Sequence, residues 1–175
     1  GLTLSHYAPS ETSLLKEKLY EINHLASEFY HYLLTAHKLG GKAKEYLQTR
    51  GIKEQTIKTF TLGYAPDSWD SLLKFINKKG YSKNEIFTAG LLSKSPSGNF
   101  YDRFRGRLMF TLRDQRGNNV GFSGRKLPGL DTDKEAKYIN TSETPVYIKG
   151  NVLYGMDNAR PAIKKEKEVV VVEGE

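Results

Sequence analysis

The sequence contains no cysteine, which excludes disulfides, thiolate zinc ligands and cysteine nucleophiles and leaves oxygen and imidazole to hold any metal. It lacks an apolar run near the roughly 20 residues a helix needs to cross a bilayer, and its N-terminus lacks the charged and apolar regions of a signal peptide. A soluble, cytoplasmic chain with no membrane partner is expected. There is no GxxxxGK[ST], no GxGxxG opening a helix, no internal repeat and no long Pro-rich or Ser-rich linker. There is no GxSxG elbow either; Gly121-Phe122-Ser123-Gly124-Arg125 invites misreading as one, but its serine falls in a hairpin strand instead of a strand-to-helix turn. Acid is the scarcer charge: 20 Asp and Glu stand against 27 Lys and Arg in 175 residues, a net charge of +7. That balance favours a polyanionic partner. With 38% hydrophobic residues, the chain can bury the core of one ordinary domain.

Apolar periodicity predicts a helix from Ser10 to about His37, with Leu15, Leu19, Ile22, Ala26, Phe29 and Leu33 on one face and Gly40-Gly41 as its left-handed end. A second helix carries Ala43, Tyr46 and Leu47 and closes at Gly51, and a third spans Glu54 to Phe60. Leu62 to Pro66 reads as a turn. A fourth helix begins at Ser68 with Trp69, Leu72, Leu73 and Ile76 inward and ends at Gly80; Ser82 and Glu85 form the capping box of a fifth. Beyond Gly90, Ser95 to Gly98 is a turn, and Arg107 to Arg113 with Val120 to Arg125 reads as a hairpin. Short strands are expected at Lys137 to Asn140 and Val152 to Tyr154, with a helix from Asn158 to Lys165. Val169 to Val172 reads as a strand buried on both faces. The fold class is α+β: a helical N-terminal half, then a small mixed or antiparallel sheet. The start at Gly1 without methionine and the stop just after the valine run suggest an excised fragment.

Charge is concentrated. Arg103, Arg105, Arg107, Arg113, Arg116, Arg125 and Lys126 face one acid, Asp114, within 24 residues. Arginine forks pair with phosphate oxygens and stack on bases, and Tyr101, Phe104, Phe110 and Phe122 among them are candidate stacking platforms. The alternative places Met109, Phe110 and Leu112 in the core, with the arginines on a solvated face. Glu173, directly after the valines, is a candidate Mg²⁺ ligand or general base at the carboxyl end of a strand. His6, His24, His31 and His37 form no metal-ligating pattern.

Several motifs stand in order: Tyr46 to Ile52 (YLQTRGI), Leu62 to Pro66 (LGYAP) with Trp69, Tyr101 to Phe110 (YDRFRGRLMF) and Gly121 to Arg125 (GFSGR). Lys137 to Thr144 (KYINTSET), Lys149-Gly150, Leu153-Tyr154-Gly155 and the final Val169 to Gly174 follow. Together they resemble the bacterial DnaG-type DNA primases, in the front part of the RNA polymerase domain up to the first strand of its Toprim subdomain. The resemblance implies an enzyme that copies single-stranded DNA into short RNA primers from ribonucleoside triphosphates with Mg²⁺ or Mn²⁺. It implies that Arg50, Arg125 and Lys137 line the template groove, that Lys149 adds to it, and that Arg103, Arg105 and Arg107 contribute or brace the fold, Asp102 being the nearest acid. Glu173 matches the first Toprim carboxylate, as catalytic residue and metal ligand; Glu175 departs from the aromatic usual there. The family's zinc-binding and helicase-binding regions have no counterpart in these residues.

The resulting division is residues 1–41 as a leading helix, 42–167 as the template-binding subdomain and 168–175 as the start of Toprim, in an enzyme of the nucleoid and replisome. The fragment alone is expected to be inactive. A stand-alone single-strand-binding module, or a piece of a Toprim nuclease or topoisomerase, are the alternatives.

Overall fold

The computed structural model describes residues 10–129 and 136–172. Ser10 starts α1 (Glu11–Thr35) by accepting the Ser13 amide at 3.2 Å. Helices α2 (Gly41–Thr49), α3 (Glu54–Thr59), α4 (Ser71–Lys78) and α5 (Lys83–Thr88) follow, and the Ser82/Glu85 capping box forms as the spacing predicts. The strands are β1 (Gly63–Ala65), β2 (Leu92–Lys94), β3 (Phe100–Asp102), β4 (Arg107–Arg113), β5 (Asn119–Lys126) and β6 (Tyr138–Asn140), and α6 (Met156–Glu166) closes the described chain. One antiparallel sheet has the order β1-β4-β5-β6, and β2 and β3 form a separate hairpin. The α+β expectation holds.

Residues paired across strands share a face of the sheet. Thr111 pairs with Phe122 and Met109 with Gly124, and this face receives α1: Ser27 Oγ meets Thr111 Oγ1 at 2.9 Å, and the Tyr30 ring packs edge-on against Phe122. Gly63 lets β1 approach, since a Cβ there would lie 2.6 Å from the Tyr30 Cβ. The other face carries the row Tyr64, Leu108, Arg125 and Tyr138 across the four strands. Ala43 and Leu47 of α2 and Ile57 of α3 pack with Tyr64 and Leu108, which brings α2 alongside Arg125.

Several expectations change. Helix α1 stops at Thr35, and Gly40 and Gly41 are right-handed; Gly40 is required because a Cβ would lie 2.1 Å from the Leu33 carbonyl oxygen. The turn at Leu62 to Pro66 contains β1, recruited by pairing with β4. Helix α4 begins at Ser71 and Trp69 faces outward, because Asp102, from β3, supplies the anion that ends the helix at its N-terminal side. The turn at Ser95 to Gly98 joins β2 and β3, which periodicity missed because each strand is three residues long. Val152 to Tyr154 is not a strand, as Lys149–Asn151 takes a 3₁₀ turn and Gly155 is left-handed. Val169 to Val172 forms no strand and is 55–86% exposed. A doubly buried strand needs a neighbour on each side to pair its backbone, and no described strand reaches it.

Candidate nucleic-acid interface

The sequence-predicted cations separate by environment. Arg125 on β5 pairs with Tyr138 on β6. Its Nη1 donates to the Tyr138 hydroxyl at 2.7 Å, and its guanidinium carbon lies 5.4 Å from the Tyr138 ring centroid and 5.7 Å from that of Tyr46 on α2. Arg50 lies one helical turn beyond Tyr46, its amide donating to the Tyr46 carbonyl at 3.2 Å, and is exposed. The Lys126 amide donates to the carbonyl of exposed Lys137 at 2.9 Å. Arg50 is thus tied through α2 to the Tyr46 side of Arg125, while Lys137 precedes Tyr138 in the chain and Lys126, next to Arg125 on β5, is turned to the opposite face of the sheet.

A second cluster lies at the start of α4. Arg105 stacks over Trp69, its guanidinium carbon 4.2 Å from the ring centroid and 5.2 Å from that of Tyr101, and Trp69 meets Tyr101 edge-on. Trp69 is 65% exposed. The backbone sets this arrangement: the Asp102 amide donates to the Trp69 carbonyl at 2.7 Å, and Arg105 Nη1 donates to the Asp102 carbonyl at 2.7 Å. The Asp102 carboxylate is no arginine's partner here. It accepts from the Leu72 amide at 2.8 Å, the Leu73 amide at 3.0 Å and the Ser71 hydroxyl at 3.3 Å, and burial pushes its pKa up against the pull of those donors.

Arg103 links the two clusters. Its Nε and Nη2 donate to the Asn140 carbonyl at the end of β6, at 3.1 and 2.8 Å, and burial lowers its pKa. Arg107, expected at the groove, is 5% exposed and donates to the carbonyls of Gly124, Lys137 and Ala136. It braces β4, β5 and the approach to β6, because a cation this buried must satisfy its N–H groups inside the protein. Phe104 and Phe122 are core residues, 1% and 0% exposed, and so cannot be stacking platforms. Lys149 is exposed but follows Tyr147, which packs with Leu112 and Val120. Val120 lies five residues from Arg125, about 17 Å along a strand, so the fold does not bring Lys149 to the others.

Periodicity hid Trp69 by placing it on the inner face of α4. The available signal was its position before the first helical turn, beside Pro66 and Asp67. A cleft of about 660 Å³ lies elsewhere, between α1 and the β4–β5 turn; of the clustered cations it holds Arg113, which is paired with Asp157 at 3.2 Å. His24 and His31 line it, with His31 Nδ1 2.7 Å from the Leu62 carbonyl, while His37 lies beyond α1 and accepts the Leu39 amide through Nδ1. Among the described residues no three His, Asp or Glu side chains stand together as a metal site. Glu173 lies outside the described residues. Among those residues no helix is long and apolar enough to cross a membrane.

The model of the family "DNA primase catalytic core, N-terminal domain" matches residues 29–160. The DNA primase of Deinococcus radiodurans is 48% identical over 157 residues, covering 89% of this chain and 26% of that protein; the chain thus spans about a quarter of the length of the curated relatives it matches. The RNA polymerase domain of Mycobacterium tuberculosis primase DnaG superimposes with a TM-score of 0.83 at 38% identity, covering 91% of this chain and 50% of that one. It has also been solved with a double-stranded DNA oligomer bearing a 6-nucleotide overhang. The Aquifex aeolicus primase structure, comprising zinc-binding and RNA polymerase domains, matches at a TM-score of 0.76 and 30% identity, over 95% of this chain and 38% of that one.

Proposed function

The chain belongs to the family of the DNA primase catalytic core N-terminal domain, and from that membership we propose that it is the template-holding part of a primer-synthesising, DNA-dependent RNA polymerase. One observation supports the reading: Arg125 stands within cation–π reach of Tyr46 and Tyr138, with exposed Arg50 one turn from Tyr46 and exposed Lys137 beside Tyr138 in the chain, while Trp69 and Arg105 form a second ring-and-cation surface. Copying any template sequence requires contacts to phosphates and base faces over readout of base edges. Arg50, Arg125 and Lys137 hold successive phosphates, and Trp69 with Arg105 stacks an unpaired base. Arg103 positions the β6 end, Arg107 fixes the strands beneath, and Lys149 is a more distant contact for a longer strand.

Ribonucleoside triphosphates are the substrates of the complete enzyme, a replicative helicase its partner and the nucleoid its location. Residues 1–41, 42–167 and 168–175 are proposed as leading helix, template-binding subdomain and start of Toprim. Mg²⁺ or Mn²⁺ would supply charge neutralisation at the reacting phosphates, with Glu173 proposed as one carboxylate ligand and catalytic residue. One carboxylate does not make a metal centre, and no described cluster completes it, so no step is derived through the ion. The chain alone is expected to make no primer. The match across residues 29–160 favours this reading over a free-standing binder or another Toprim enzyme.

A salt titration of fluorescent single-stranded DNA binding tests it. Arg125→Ala and Lys137→Ala should each lower the log–log slope by about 0.7, the value per lost contact to a single strand. Wild-type slopes in both variants refute the groove.

A further inference from the structure

We propose that Tyr46 and Tyr138 are positioning residues for the DNA backbone, holding the Arg125 guanidinium as a preformed fork whose remaining N–H groups await a phosphate oxygen. This rests on the DNA-holding reading above. Neither tyrosine need touch DNA.

The two rings come from separate elements. Tyr46 is carried by α2, which Ala43 and Leu47 anchor in the core, and Tyr138 is fixed opposite Arg125 by the β5–β6 register. Both rings lie within cation–π reach of the guanidinium, and the Tyr138 hydroxyl accepts one Nη1 proton at 2.7 Å. Arg125 Nε is buried and has no hydrogen-bond partner. Enclosed with its N–H, the guanidinium is held in one orientation and leaves its Nη groups to meet a phosphate oxygen.

The rings also remove motion. An unrestrained arginine loses much rotamer freedom when it engages a phosphate, whereas a guanidinium held between two rings has lost it before DNA arrives. Arg50, one turn from Tyr46 on α2, is held in register with Arg125 through the same contact. The tyrosines thus act on affinity through Arg125, while the number of phosphates contacted stays the same.

The test is a double-mutant cycle on the 175-residue chain with fluorescent oligo-dT as probe, beside ¹⁵N spectra of the arginine Nε–H groups. Tyr138→Phe removes one oxygen and should weaken binding about fivefold, the equivalent of one ordinary hydrogen bond of about 1 kcal/mol. Tyr46→Leu should do about the same. Both should keep the wild-type salt slope, since every cation remains. In an Arg125→Ala background either tyrosine exchange should change nothing further. In the free wild-type protein the Arg125 Nε–H should be ordered and slow to exchange, and both properties should be lost in Tyr46→Leu.

Tyrosine variants that bind as wild type, or a Tyr138→Phe loss that persists undiminished without Arg125, overturn the proposal. So does an Arg125 Nε–H that exchanges like that of a free arginine, whatever the DNA result. If Arg125→Ala lowers the slope while the tyrosines are silent, only this inference falls. If Arg125→Ala itself leaves affinity and slope unchanged, the DNA-holding reading falls with it.

Discussion

Asp102 offers a sharp test of how the Trp69 surface is built. Its carboxylate, 1% exposed, accepts the amides of Leu72 and Leu73 at 2.8 and 3.0 Å, the second and third residues of α4, so an acid from β3 does the work of a helix cap. Asp102→Ala leaves both amides buried without an acceptor, at about 1–3 kcal/mol each. Release of the buried carboxylate returns part of this, so the net loss should be about 3 kcal/mol. In a domain of this size 1 kcal/mol shifts Tm by about 2–4 °C, and the variant should melt roughly 6–12 °C lower. Asp102→Asn keeps one acceptor oxygen and should lose about half as much. The pH dependence has a definite sign. Burial raises the folded-state pKa above the ordinary 3.8, so the folded state binds this proton more readily, and the group's contribution falls as pH rises through the window above 3.8. The stability gap between wild type and Asp102→Asn should therefore be larger at pH 4 than at pH 7. Thermal melts give the first quantity and urea unfolding at the two pH values the second, both followed through Trp69, the only tryptophan. An Ala variant melting within about 2 °C of wild type would refute the capping role, and a gap that widens with pH would refute the dominance of burial.

Because Trp69 is the sole tryptophan and 65% exposed, its emission should be quenched by oligo-dT; Trp69→Leu should weaken binding about tenfold, within the range of a lost stacked base, with no change in salt slope. Unchanged emission on saturation would remove the stacking role. Glu85 is held down to about 2 from an ordinary 4.5 by the Ser82 backbone hydrogen bond first and by Lys18. It therefore contributes stability above pH 4.5 that is lost as pH falls to about 2. Urea unfolding should show Glu85→Gln less stable than wild type at pH 7, with the difference shrinking across that window; a constant difference would refute the assignment. Gly40→Ala drives a Cβ to 2.1 Å from the Leu33 carbonyl oxygen, and thermal melts should show a loss of about 2 kcal/mol. A gain in stability, as expected for Gly→Ala in an unhindered helix, would contradict the packing.

The features legible in the sequence are those whose cause is local. The Ser10 cap, the Ser82/Glu85 box and the Asp114 to Asn118 turn are each made by residues within four positions of one another, and each forms as its pattern implies. The β4–β5 hairpin follows from its turn and its alternation. What periodicity misassigned depends on distant residues. Trp69 fits the inner face of a helix until Asp102, 33 positions later, sets where that helix begins. Phe104 and Phe122 resemble stacking platforms until β5 carries Phe122 beneath α1 and Phe104 packs against its ring, and Arg107 resembles a phosphate contact until three carbonyls from two segments close on it. The motifs identified the cations as a set, and only the pairing of Arg125 with Tyr138 and the approach of α2 distinguish Arg125, set among rings, from Arg107, which holds the sheet. Within a run of arginines the charge is the same at every position. Whether a given one is spent on carbonyls, on an aromatic ring or on a phosphate is decided by the partner brought to it, and that partner lies elsewhere in the chain.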